Sequence, residues 1–154
     1  METKQLEFRR PVPDLEQGLA RFFQDLEASG DTAHFHPHPM TPAAAAERVR
    51  YRGKDVYYVV TTGERVIGYG MLRGWDQGYA VPSLGIALHP DARGLGLGRT
   101  LMLVMHSEAK RRGAAKIRLK VYPDNEAAVS LYRSLGYVYE EKLEAGQLVG
   151  YKTL

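Results

Sequence analysis

Arg93-Gly94-Leu95-Gly96-Leu97-Gly98-Arg99 stands between a strand-like run and an amphipathic run, with glycines at alternate positions. Glycines there leave backbone N–H groups uncovered at a helix N-terminus, where unpaired donors and the helix dipole attract a phosphate. Arg93 and Arg99 add positive charge beside that nest. A sharp strand-to-helix turn with no ligand would use the same glycines. A dinucleotide fingerprint fails on spacing, because G-x-G-x-x-G from Gly94 meets Arg99 and from Gly96 meets Leu101. A P-loop fails too, since Gly98 is followed by Arg99-Thr100 where lysine and then serine or threonine are required.

Downstream, Asn125 and Tyr132 are seven residues apart, about two helical turns, and so lie along one side of a helix. A phenol with a reference pKa of about 10 is protonated at neutral pH and can donate to a thiolate whose conjugate acid is near 8.5. Taken singly, Tyr132 fits a core aromatic and Asn125 a helix cap. The histidines of His34-Phe35-His36-Pro37-His38-Pro39 invite a metal, yet no nearby carboxylate spacing completes a site, and the prolines shape a loop instead. The expectation is no metal. Arg73-Gly74-Trp75-Asp76 offers an aromatic face and a carboxylate that could hold a cationic amine, or a solvated turn anchored by its tryptophan.

The elements that would position these groups follow from periodicity. Leu6 and Phe8 alternate into a first strand; Asp14 opens a helix through Leu15, Leu19, Phe22, Phe23 and Leu26, closed by Gly30. Thr41-Pro42 starts a second helix into Arg50. Asp55 to Thr62 and Arg65 to Leu72 form a hairpin about Gly63-Glu64, and Val81 to Leu88 continues the meander. The order then becomes strand, helix, strand, helix: Leu97, Leu101, Val104 and Met105 mark one helix face, Ile117, Leu119 and Val121 a strand, and Ala128, Leu131, Tyr132 and Leu135 another helix, capped by Gly136. Two last strands are expected at Tyr137 to Lys142 and Leu148 to Thr153.

The chain has 154 residues, 44% hydrophobic and 25% charged, which suits one domain over residues 1–154. No apolar run approaches the roughly 20 residues needed to cross a bilayer, so a cytoplasmic, membrane-free protein is expected. A net charge of +3 is mild and fits an anionic small ligand. No nucleic-acid reader motif is present, so a nucleic-acid partner is not expected. Without cysteine, no acyl-cysteine intermediate can form, and direct attack by an acceptor is expected.

The pattern R-x-x-G-x-G at Arg93, Gly96 and Gly98, with Asn125, Tyr132 and Gly136-Tyr137 downstream, resembles the GNAT superfamily of N-acetyltransferases, most fully over Ser83 to Glu140. The resemblance implies a single α/β (α+β) domain, with a mixed, mostly antiparallel sheet flanked by helices and splayed at the acyl-CoA site. It also implies acetyl-CoA as donor: pyrophosphate on Gly94, Leu95, Gly96, Leu97, Gly98 and Arg99 beside Arg93, and pantetheine along Ile86, Ala87 and Leu88. The Leu88 N–H would polarise the thioester, Asn125 would touch the cofactor, and Tyr132 would protonate the departing thiolate. His36, His38, Trp75 and Asp76 would line the acceptor pocket for a primary amine of a small molecule. Phe35 to Thr41 and Gly68 to Trp75 are similar to GNAT proteins found alongside sugar-modifying enzymes, which suggests an amino sugar or its nucleotide conjugate.

Some family members carry a glutamate on the strand before the asparagine, where this chain has Lys120. The general base is therefore left among Asp76, the His34 to His38 loop and an ordered water. Acetylation of protein or peptide N-termini or lysines, and a non-catalytic acyl-CoA sensor, remain alternatives, and a homodimer is compatible with all of them.

Overall fold

Val56–Thr62 (β2) and Arg65–Arg73 (β3), rich in β-branched and aromatic residues, form the hairpin at the centre of the computed structural model, which describes residues 5–154. Around them the chain runs Leu6–Arg9 (β1), Glu16–Ala28 (α1), Pro42–Val49 (α2), then after the hairpin Ser83–Leu88 (β4), Leu97–Arg111 (α3), Lys116–Val121 (β5), Glu126–Ser134 (α4), Val138–Tyr139 (β6) and Leu148–Thr153 (β7). The sheet order is β1-β2-β3-β4-β5-β7-β6, antiparallel except for the parallel pair β4 and β5. This is the mixed, mostly antiparallel sheet expected from the sequence.

Alternation along the strands sorts side chains onto two faces. Tyr57, Val59, Tyr69 and Met71 pack with Leu19, Phe22, Phe23 and Leu26 of α1 and with Ala45 of α2. On the other face Val56, Val60 and Leu72 meet Leu101, Met102 and Met105 of α3 and Tyr132 of α4. Gly70 lets α3 come close, since a Cβ there would stand 3.3 Å from Met105 Sδ. Local signals start the helices as read: Thr41 Oγ1 accepts from Ala44 N–H at 3.1 Å ahead of Pro42, and Asn125 Oδ1 accepts from Ala128 N–H at 3.4 Å.

Two expected strands are shorter than read. β4 begins at Ser83 because Pro82 has no N–H to give the ladder. The strand expected over Tyr137 to Lys142 is reduced to Val138–Tyr139, after which only the Glu140 N–H reaches Val149 O, at 2.9 Å.

The pairing that matters for chemistry is the one that fails. β4 and β5 meet in register only at Ser83↔Arg118, where the Arg118 N–H donates to Pro82 O at 3.0 Å. Beyond it the two strands part, and the N-terminus of α3 and one side of α4 face the opening.

Candidate functional site

The opening is a cleft of about 560 Å³, lined by β4, the glycine loop, Lys120 and Val121 of β5, and Asn125, Ala128, Leu131 and Tyr132 at α4. The loop is shaped by Gly94 and Gly96, at φ 78° and 79°, backbone angles that side chains resist. Gly96 is the N-cap of α3, so the first N–H groups of that helix point out at the cleft without a side-chain cap. A Cβ at Gly98 would sit 3.6 Å from Leu131 Cδ2 and 3.7 Å from Leu88 Cδ1, so the bare glycine keeps the passage between β4 and α4 clear. Leu97 lines the cleft from its buried position, whereas the Leu95 side chain is 73% exposed and lines none of it.

The expected cations are placed differently from one another. Arg93 is already engaged, its Nη2 donating to Leu88 O at 3.1 Å and facing Asp31 Oδ2 at 2.9 Å. It braces the loop against the segment after α1. Burial alone would raise the Asp31 carboxyl, but hydrogen bonds from Arg93 and Ser29 hold it below the ordinary carboxylate range. Arg99 donates to Ser134 Oγ at 3.0 Å, tying α3 to the end of α4, and remains exposed at the cleft rim. The end of β4 is pinned as well. His89 Nδ1 accepts from Asp91 N–H at 3.1 Å, which leaves the proton on Nε2, 2.9 Å from Asp25 Oδ2. That hydrogen bond holds the Asp25 carboxyl below its usual range.

β4 exposes main chain to the cleft. The His89 N–H donates to Ile67 O at 2.8 Å, which fixes the alternation of the β3 and β4 ladder. Ala87, Gly85 and Ser83 therefore turn their amides to Tyr69, Met71 and Arg73, while Leu84, Ile86 and Leu88 turn theirs toward the parted β5. The Leu88 carbonyl receiving Arg93 agrees with that parity. Of the three residues expected to bond an extended arm, Ile86 and Leu88 have amides on the cleft side and Ala87 does not. The Leu84 N–H faces the same way but is taken up in the single bridge between β4 and β5, opposite the Arg118 carbonyl.

Asn125 and Tyr132, at the start of α4 and within it, both line the cleft from the same side of that helix. Tyr132 is buried at 8% exposure. Burial pushes its phenol well above the ordinary value, so it stays protonated.

A second cavity of about 360 Å³ continues the first past the N-terminal end of β4, sharing His34, Phe35, Leu84, Gly85 and Lys120 as walls and adding His36, Met71, Arg73, Arg118 and Gln147. The segment 34–37 forms part of its wall. His36 Nε2 lies 3.0 Å from Tyr122 Oη and His34 Nε2 lies 3.2 Å from Asp124 Oδ1. Of the residues expected to line an acceptor pocket, His36 does so and three do not. His38 turns inward, with Nε2 2.9 Å from Tyr69 Oη and its ring edge-on to Phe23, and burial lowers its pKa. Trp75 lies beneath the Arg112 guanidinium, 5.3 Å from the ring centre, at the far end of α3. Asp76 accepts from Tyr51 Oη and, at 2.7 Å, from the Lys54 N–H, which hold its carboxyl below the usual range. The reason is the turn itself. Asp55 Oδ1 accepts from Gly74 N–H at 3.0 Å and Asp76 N–H at 3.2 Å, folding the turn back on β2 and away from the cavity. The three loop histidines thus face three different partners.

The acetyltransferase (GNAT) family model matches residues 16–137. An acetyltransferase of Sodalis glossinidius is 29% identical over 102 residues, covering 66% of this chain and 70% of its own length. Mycothiol acetyltransferase of Geodermatophilus obscurus is 32% identical over 114 residues, 67% of this chain but 37% of that protein. Among solved structures, the GNAT domain of S. lividans PAT superposes with a TM-score of 0.82 at 18% identity, covering 97% of this chain and 90% of that one. PaiA N-acetyltransferase from Thermoplasma acidophilum, solved in complex with coenzyme A, gives 0.77 at 15% identity, covering 97% and 99%. At such identities the superpositions speak for the fold.

Proposed function

Since the chain belongs to the GNAT acetyltransferase family and is an enzyme that works with acetyl-CoA, we propose that it moves the acetyl group to a primary amine of a small molecule. The carrying observation is one continuous passage, from the glycine loop along the free amides of β4, past Tyr132, into the cavity walled by Phe35 and Lys120. The residues fit such a donor. Uncapped N–H groups at Gly96 to Gly98 suit a pyrophosphate, and a row of unpaired amides in a central strand suits a pantetheine arm. When bound, acetyl-CoA supplies a thioester open to attack by a neutral amine.

Polarisation of the thioester carbonyl belongs at Ile86 rather than Leu88. Leu88 is tied through its carbonyl to Arg93 at the loop, leaving no length for an arm between pyrophosphate and thioester. At about 3.3 Å per residue, the Ile86 amide lies roughly 7 Å further along the strand. Tyr132 holds its proton at the cleft wall for the departing sulfur. Its raised pKa does not disqualify it, because the desolvation that raises the phenol also raises a thiolate released into the same cleft. Asn125 caps α4 and carries the second contact to the donor.

Among the base candidates, Asp76 and His38 lie outside the cavity, whereas His34 and His36 are on its wall. We assign proton removal to His36, the side-chain type that exchanges protons near neutrality. A small acceptor is favoured because the 34–37 segment, bonded to Tyr122 and Asp124, walls the cavity, and no acidic residue suited to a peptide amine lines it. An amino sugar is of the right size. No helix among the described residues is long and apolar enough to cross a membrane, and we place the enzyme in the cytoplasm.

Thermal melting with saturating acetyl-CoA, followed by free-thiol release across amines including amino sugars and N-terminal peptides, tests this. A ligand at about 100 times its dissociation constant adds roughly 2.7 kcal/mol. Tyr132→Phe should keep that shift and lose about 10²–10⁴-fold in kcat. Full activity in Tyr132→Phe would remove the tyrosine from the mechanism, and no melting shift in the wild type would remove the donor site.

A further inference from the structure

The acceptor cavity is more positive than its place in the fold requires. Arg73 enters from the end of β3, and Arg118 and Lys120 from β5, while no wall residue is acidic. Glu144, reaching in from the β6–β7 connection, bonds Arg118 Nη2 and, at 2.8 Å, Lys120 Nζ. One carboxylate thus serves two of three cations. Arg73 has only the carbonyl of Pro37, at 3.0 Å, and among the described residues it has no carboxylate partner.

Packing does not explain the choice. Ile117, Leu119 and Val121 fill the buried face of β5, and Arg118 and Lys120 sit on the opposite face, where any polar residue would fit. Their side chains are only 24% and 32% exposed. Like charges held close together and partly out of water cost stability unless an anion completes them. Phe35, Met71 and Leu84 give the same cavity an apolar wall, and Ser83 and Gln147 line it as polar groups.

We propose that the acceptor is an amine that also carries a carboxylate or phosphate, gripped by Arg73, Arg118 and Lys120 with its amino group turned toward Ile86. This rests on the donor-site assignment above. Guanidinium groups match such anions through paired N–H donors, and the lysine adds a point charge. The arrangement also eases deprotonation. Arg73, Arg118, Lys120 and Glu144, together with His34 and His36 when protonated, present a net positive surrounding that disfavours the ammonium form of the acceptor. Lys120, which stands where a carboxylate base would attract that ammonium, serves the neutral nucleophile instead.

The test compares matched acceptors: each L-amino acid against its amide, and glucosamine 6-phosphate against glucosamine. Thiol release should favour the anionic member of the preferred pair by at least about tenfold in kcat/KM, chiefly through KM, the scale of one good charge contact. Whichever pair responds names the carboxylate or the phosphate. The same pairs are titrated calorimetrically into coenzyme A-saturated protein, so that binding is read even where turnover is slow. Arg73→Gln should erase the preference while leaving the acetyl-CoA melting shift intact. Arg118→Gln should do the same, and Arg73→Gln stands alone if loss of the Glu144 contact unfolds the latter. Equal or tighter binding of the neutral members overturns the proposal with the donor site untouched, and a peptide amine preferred over every small acid overturns it as well. Loss of the acetyl-CoA shift in the wild type would instead indict the donor assignment on which it rests.

Discussion

The donor cleft and the acceptor cavity share the walls Phe35, Leu84, Gly85 and Lys120, yet they are made of different material. The donor side is main chain: the turned-out amides of Ile86 and Leu88 and the uncapped start of α3 at Gly96. The acceptor side is side chain: Arg73 at the end of β3, Arg118 and Lys120 on the free face of β5, and His36 in the loop before α2. Main-chain groups are set by the fold, so one donor geometry survives wide sequence change. Side chains on a solvent-facing surface are free to change without disturbing the core, so the acceptor can differ from relative to relative. The neighbouring strands make the same point. β3 is buried along its whole interior, while the equally central β4 is half-buried at most positions, because β5 parts from it beyond Ser83 and leaves its outer edge open to the cleft.

The largest expected effect attacks the main-chain side. Gly98→Val would push methyl groups between Leu131 and Leu88, across the passage that a pyrophosphate must enter. The roughly 2.7 kcal/mol of stabilisation from saturating acetyl-CoA should vanish, while the unliganded protein melts near its normal temperature, because Gly98 is not at a positive φ. Calorimetric binding of the anionic acceptor in the other cavity should persist. Loss of both would mean that the two sites are one structural unit, and the contrast between them would fail.

A smaller effect divides the two jobs of Asn125. Asn125→Ala removes the bond to Ala128 N–H and should cost about 1 kcal/mol of stability as a lost cap. Asn125→Asp keeps a capping oxygen, so stability should return. If the side chain also meets the donor, the added negative charge should weaken acetyl-CoA several-fold, as read by its dissociation constant. Recovery of both properties in Asn125→Asp would make the residue a cap and nothing more.

How far the sequence discloses each side follows from the same contrast. Gly94, Gly96 and Gly98 alternate within one short run and are chemically unusual together, so the donor loop is visible in one line of text, and Asn125 with Tyr132 is a spacing on a single helix. The acceptor cations come from β3 and β5, which are not neighbours in the sheet and are brought together through Ser83 of β4, opposite both Arg73 and Arg118. Read one at a time, they are ordinary surface charges. A signal did exist on β5, where Arg118 and Lys120 alternate with Ile117, Leu119 and Val121 and so must share the unburied face. The direction of the Arg73 to Asp76 turn carried no such signal. The tryptophan and carboxylate looked like a pocket lining because a turn between strands can fold to either side, and only the bonds from Gly74 and Asp76 N–H to Asp55 decide which.

That turn supplies the smallest prediction. Asp76 is fully exposed, bonded to Tyr51 and the Lys54 N–H, and lines neither cavity. Asp76→Asn keeps the shape and removes the charge. Acceptor KM, acetyl-CoA affinity and the pH profile of thiol release should each stay within about twofold, the scale of an exposed charge. The Tyr51 hydroxyl should titrate closer to its ordinary value, because the carboxylate beside it contributes to holding it up, after burial. A tenfold rise in acceptor KM with the Tyr51 titration unchanged would return Asp76 to the acceptor site. It would also require the turn to open in solution, and acceptor selection would then rest on a movable carboxylate as well as on fixed cations.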